Sequence, residues 1–93
     1  MKQIMLESTV SQRSDLMTAD LHNEIVMMDV DRGSYYGMEE VGAHIWKLLA
    51  TPIKVTDLVE QLTDSYEVER EQCTTDTVIF LGELLAAELI VLQ

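Results

Sequence analysis

Hydrophobic and polar residues alternate with a period of two along the first third of the chain, weakly in "TVSQRSDLM" and "LMTADL" and strongly in "EIVMMDV". That period puts apolar side chains on one face of an extended strand, so these runs predict β-structure. Between them "HN", His22 and Asn23, reads as a tight-turn pair. "DVDRGS" is a second turn, in which Gly33 is free to take the positive φ that a hairpin often requires. "SYYGM" follows as another short strand, and three strands joined by short turns predict an antiparallel meander.

From Met38 the period changes to that of a helix. Met38, Val41, Ile45, Leu48 and Leu49 fall on one stripe with Trp46 beside it, and Glu39 and Glu40 occupy a first turn where the helix dipole favours acids. Pro52 ends this helix, and Thr56 is the expected N-cap of a second, whose apolar face is Leu58, Val59, Leu62 and Tyr66. A third helix is expected from Glu69 or Arg70 to about Glu88, before the apolar end "LIVL". Its broad face holds Thr77, Val78, Leu81, Leu84, Leu85 and Leu89, with Ile79 and Phe80 on the two shoulders beside Asp76 and Glu83. That arc is wider than one packing partner requires, so either the helix is sandwiched within its domain or one shoulder lines a groove.

A chain of 93 residues suffices for one small hydrophobic core, and with no linker or repeat the expected organisation is a single domain over residues 1–93. No run approaches the roughly 20 apolar residues of a membrane span, and "MKQIMLESTV" lacks the apolar core of a secretory signal. A cytoplasmic location is the default expectation. Cys73 has no second cysteine to pair with, which fits a reducing compartment and the role of a small apolar helix residue.

Charge narrows the partners. Seventeen acidic against six basic side chains give a net charge of −11, and the excess is greatest from residue 38 onward, with eleven acids against three bases. Such a surface repels phosphate backbones, so neither nucleic acid nor an anionic membrane is an expected partner, whereas a basic peptide or protein patch would be steered inward.

No catalytic constellation emerges. His22 falls in a turn and His44 in a helix, neither with a second histidine or a nucleophile at useful spacing. Ser65 in "TDSYE" lacks the glycine and following leucine of a phosphopantetheine site. Asp29, Asp31 and Glu40 match three positions of a calcium-binding loop, but Ser34 stands where that loop needs glycine and a strand precedes it. Asp29 and Asp31 are better read as shaping the turn. No metal or cofactor is expected.

The elements add up to an α+β fold, winged helix-turn-helix-like, with an N-terminal three-stranded antiparallel sheet followed by three helices. Such folds commonly bind DNA, and a winged-helix regulator is the alternative reading. The helix that would enter the groove carries Asp76, Glu83 and Glu88 with Arg70 as its cation, the reverse of a nucleic-acid footprint.

"DRGSYYGMEEVGAHIWKLL", "VTDLVEQLTDSYEVE" and "DTVIFLGELLAAELI" together resemble the PqqD-like family of peptide chaperones, or precursor-peptide recognition elements, and most closely the stand-alone members of lasso-peptide pathways. The resemblance spans about residues 16–92. Its most specific part is the tyrosine pair and glycine leading into "VGAHIW", with Glu39 where many relatives have asparagine.

The resemblance implies a non-catalytic adaptor that binds the leader of a ribosomally made precursor peptide and delivers it to a leader-cleaving protease and a ring-forming cyclase. It also implies binding by strand addition in a groove walled by the third helix. The residues supply a physical route for this: in a meander the last strand, residues 34–38, is an edge whose free amides and carbonyls can template a peptide. The candidate peptide-binding set is Arg32, Ser34, Tyr35, Tyr36, Gly37, Met38, Asp76, Ile79, Phe80, Glu83 and Leu84, with Asp76 and Glu83 as an acidic rim for leader cations. Strand alternation puts Tyr36 and Met38 on one face and Tyr35 on the other, leaving open which tyrosine meets a guest. A second copy of the chain covering the edge is a further possibility to be weighed.

Overall fold

The computed structural model describes residues 3–22 and 24–93. Among these the chain runs β1 (Thr9–Gln12), β2 (Met17–Asp20), β3 (Glu24–Asp29), β4 (Ser34–Glu39), α1 (Glu40–Leu48), β5 (Ile53–Lys54), α2 (Val55–Ser65), α3 (Arg70–Ala86) and β6 (Ile90–Leu92). The class is α+β, and residues 17–39 form the expected meander, in the order β2-β3-β4.

Two adjacent hairpins fix that sheet. The Leu21 amide donates to the Glu24 carbonyl at 2.7 Å across the first turn, where His22 takes a φ of +69°. Asn23, the other half of the predicted pair, lies outside the described residues. In the second turn Gly33 has a φ of +68° and its amide donates to the Asp29 carbonyl at 2.8 Å. The β3–β4 register then runs from Asp29 opposite Ser34 to Glu24 opposite Glu39. Along β3 the inner face buries Ile25, Met27 and Asp29, as alternation demands.

Three expectations are corrected. The early alternating run is not one strand of the meander: β1 leaves it and becomes the centre of a second antiparallel sheet, β5-β1-β6. Val10 pairs with both Ile53 and Leu92, and with Val10 and Ser11 both buried β1 shows none of the one-sided pattern of a surface strand. Secondly, Met38 belongs to the strand, opposite Ile25, and the helix starts at Glu40, which takes a φ of +48° to reverse the chain without a linker. Thirdly, Thr56 lies inside α2, whose N-cap position is Lys54. The amides of Val55 and Thr56 donate instead to the carbonyls of Ser8 and Leu6, so the segment before β1 satisfies them.

The three helices pack with both sheets around one core. Val10, Leu49, Val55, Leu58 and Leu81 are fully buried, and Trp46 joins them at the back of α1. One polar knot ties the far corner. Arg13 bonds Asp29 at 3.2 Å and the Glu88 carbonyl at 2.9 Å, while Arg32 pairs with Glu88 and approaches Asp29 at 4.0 Å. It joins the end of β1, the β3–β4 turn and the C-terminal end of α3.

Candidate functional site

Strand β4 pairs with β3 on one side, and among the described residues no other strand meets it on the other. Its outward amides and carbonyls therefore form an open ladder beside α3. Side-chain alternation continues from β3, with Met38 buried and Ser34 and Tyr36 half-buried on the inner face, and Tyr35, Gly37 and Glu39 exposed on the outer.

The inner face meets α3 across a cleft of about 290 Å³. Tyr36, Gly37 and Met38 form one wall; Phe80, Glu83 and Leu84 form the other, and Ala87 and Leu89 close the end. A second, larger cavity of about 460 Å³ opens between α1, α2 and α3, lined by residues that include Val41, Gly42, Ile45, Leu62, Tyr66 and Thr77. Phe80 is the wall common to both. Its ring lies against the backbone of Gly42, close enough that a methyl group there would sit 3.5 Å from the ring tip.

The larger hollow is apolar and the smaller one mixed in character, and each has an acidic margin. Glu83 stands at the rim of the smaller one and Asp76 at the larger, where Asp76 accepts a hydrogen bond from Gln72 at 2.9 Å. Among the described residues neither acid is paired with a cation. The cleft can thus offer backbone pairing, one or two side-chain pockets and negative charge to an extended basic peptide.

The structure brings six of the sequence candidates together: Tyr36, Gly37, Met38, Phe80, Glu83 and Leu84. Leu84 is at the same time a core residue, forming the floor. Ser34 begins the same edge, and Asp76 belongs to the neighbouring cavity. Three candidates stand apart. Arg32 is engaged within the chain by Asp29 and Glu88; Tyr35 is 69% exposed on the outer face; and Ile79, 57% exposed, lines neither hollow. Ile79 shares its helix stripe with exposed Thr75 and Gly82, so its shoulder of α3 is a solvent face. The cavity between the helices escaped the sequence reading. Its one signal was Val41, which belongs to the apolar stripe of α1 yet stays 40% exposed because that stripe overlooks an open hollow.

The family model for PqqD, coenzyme PQQ synthesis protein D, matches residues 24–90. The chain belongs to the PqqD family. The match starts at β3 and takes in the β3–β4 hairpin and all three helices, so both walls of the cleft are PqqD-family elements. Among solved structures, TbiB1 in complex with the TbiA(beta) leader peptide resembles this PqqD-family chain with a TM-score of 0.81 and 28% sequence identity. The likeness covers 86% of this chain and 93% of TbiB1. A search of curated proteins found no match.

Proposed function

We propose that this PqqD-family chain is a non-catalytic adaptor that binds the leader of a ribosomally made precursor peptide as an added strand on β4. The observation that carries the reading is the open edge of β4 beside the cleft against α3, in a chain similar to a protein solved with a leader peptide. Backbone pairing along Ser34–Glu39 supplies register with little sequence preference. Selectivity comes from leader side chains that enter the cleft between Tyr36 and Phe80, with the adjacent cavity behind Phe80 as a second pocket. Asp76 and Glu83 favour leader lysines and arginines and add on-rate more than affinity. Delivery of the bound precursor to a leader-cleaving protease, and in a lasso-peptide pathway to a cyclase, completes the role.

The test is a fluorescence-anisotropy titration of a labelled leader from the pathway's own precursor. Tyr36→Asp and Phe80→Ala are each expected to weaken binding at least about tenfold, equivalent to roughly 1.4 kcal/mol, with unchanged far-UV circular dichroism. A leader N-methylated at alternate amides, on the side facing β4, is expected to lose most of its affinity because it cannot donate to the ladder. Equal affinity in both variants and for the methylated leader would overturn the reading. Duplex DNA at low salt is expected to give no binding, since α3 carries Arg70 against Glu71, Asp76 and Glu83.

A further inference from the structure

The outer face of the β2-β3-β4 sheet breaks the usual rule. An antiparallel sheet with one face on the core normally turns a polar face to water. Here Met17, Met28 and Tyr35 are directly opposite one another across the three strands, and Ala19, Val26 and Gly37 form the next row. Tyr35 and Met17 are 69% and 63% exposed, and Leu21, whose amide continues the β2–β3 pairing, is 56% exposed. Charge is confined to the margin, where Glu24 and Glu39 form the row at one end and Asp31 lies in the turn at the other. The neighbouring cations are occupied: Arg13, Arg32 and Lys47 each hold an acid of this chain.

We infer that this outer face is the docking surface for the peptide-processing enzyme that receives the leader-bound precursor, an enzyme presenting an apolar patch ringed by lysine and arginine. The inference rests on the leader-binding reading and deepens it. Two observations select that occupant. The acidic margin of a chain of net charge −11 favours a basic ring, whereas a second copy docked symmetrically would set identical acidic margins against each other. The face is also continuous with the edge that takes the leader. In a strand added to β4, alternate leader side chains point to this same side next to Tyr35 and Gly37, widening the face from three strands to four. An enzyme seated there touches carrier and leader together, so leader and enzyme each raise the other's affinity by the same factor.

Met17 provides the test, because β2 lies two strands from the leader edge, about 10 Å away. The probes are the labelled leader and the purified leader-cleaving protease of the pathway. Wild-type protein is expected to bind the protease several-fold more tightly when saturated with leader. Met17→Lys is expected to keep leader affinity within twofold yet weaken protease binding at least tenfold and slow leader cleavage in step, and Tyr35→Lys is expected to weaken protease binding likewise. Unchanged protease affinity in both variants would overturn the inference, and so would a self-dimer in sedimentation velocity that Met17→Lys dissolves. If wild-type protein binds no leader, the underlying reading fails at the first titration, which separates the two outcomes.

Discussion

Among the described residues Asp29 is the acid that the fold buries, and its partners explain how. Its side chain accepts from the Arg13 guanidinium at 3.2 Å and from the Arg32 amide at 3.4 Å, while its own carbonyl receives Gly33. The hydrogen bond from Arg13 holds the Asp29 carboxyl below the usual carboxylate range, with the nearby charges of Arg13 and Arg32 acting in the same direction. A carboxyl depressed on folding stabilises the native state above its unfolded pKa of about 3.9 and loses that contribution as pH falls through the lower folded value. Asp29→Asn is therefore expected to lower the urea midpoint at pH 7, with the gap to wild type closing as pH drops below about 4. Parallel midpoint curves from pH 7 to pH 3 would contradict it. At the same scale the tyrosine pair shows what a sequence can carry. Alternation alone puts Tyr35 and Tyr36 on opposite faces, but which of the two meets α3 depends on the β3 register, set by the turn at Gly33.

Among the elements, legibility follows the distance over which each is determined. The β3–β4 hairpin and the three helices are written in local signals: a glycine turn, Pro52, and 3.6-residue stripes. Strands β5 and β6 have two and three residues, too few for any period, and exist as strands because β1 pairs with both. The start of α2 is illegible for the same reason, since the amides of Val55 and Thr56 are satisfied by the carbonyls of Ser8 and Leu6, about fifty residues away in sequence. Helix α3 still has an improvable start. Its N-cap, Glu69, has the extended backbone of a capping residue and a carbonyl that accepts from Cys73, but no side-chain cap bond. Glu69→Asp keeps the charge and brings the carboxylate within reach of the first-turn amides, so it is expected to stabilise the fold by about 1 kcal/mol. A higher urea midpoint at unchanged m-value checks this; no shift would mean that water already serves those amides equally well.

At the scale of the whole molecule, the part that carries the family match is smaller than the part that shares the core. Residues 24–90 hold the cleft, yet they omit β1 and β2 entirely and all but the first residue of β6. Without β1 the core loses Val10, which is fully buried, and Ile4 behind it. The carbonyls of Leu49 and Leu89 lose the amides of Gln12 and Arg13, and α2 loses Ser8 and Leu6 at its start. The knot at Asp29 loses Arg13 as well. Several unsatisfied polar groups and an opened core together exceed the margin of about 5–15 kcal/mol on which small domains rest. A fragment of residues 24–90 is therefore expected to show a non-cooperative urea transition, to bind a hydrophobic dye and to bind leader poorly, although every cleft residue is present. The full chain is expected to unfold in one cooperative step. Cooperative unfolding of the fragment at the full chain's midpoint would mean that the β5-β1-β6 sheet is an appendage, and the cleft would then owe its shape to the hairpin and helices alone.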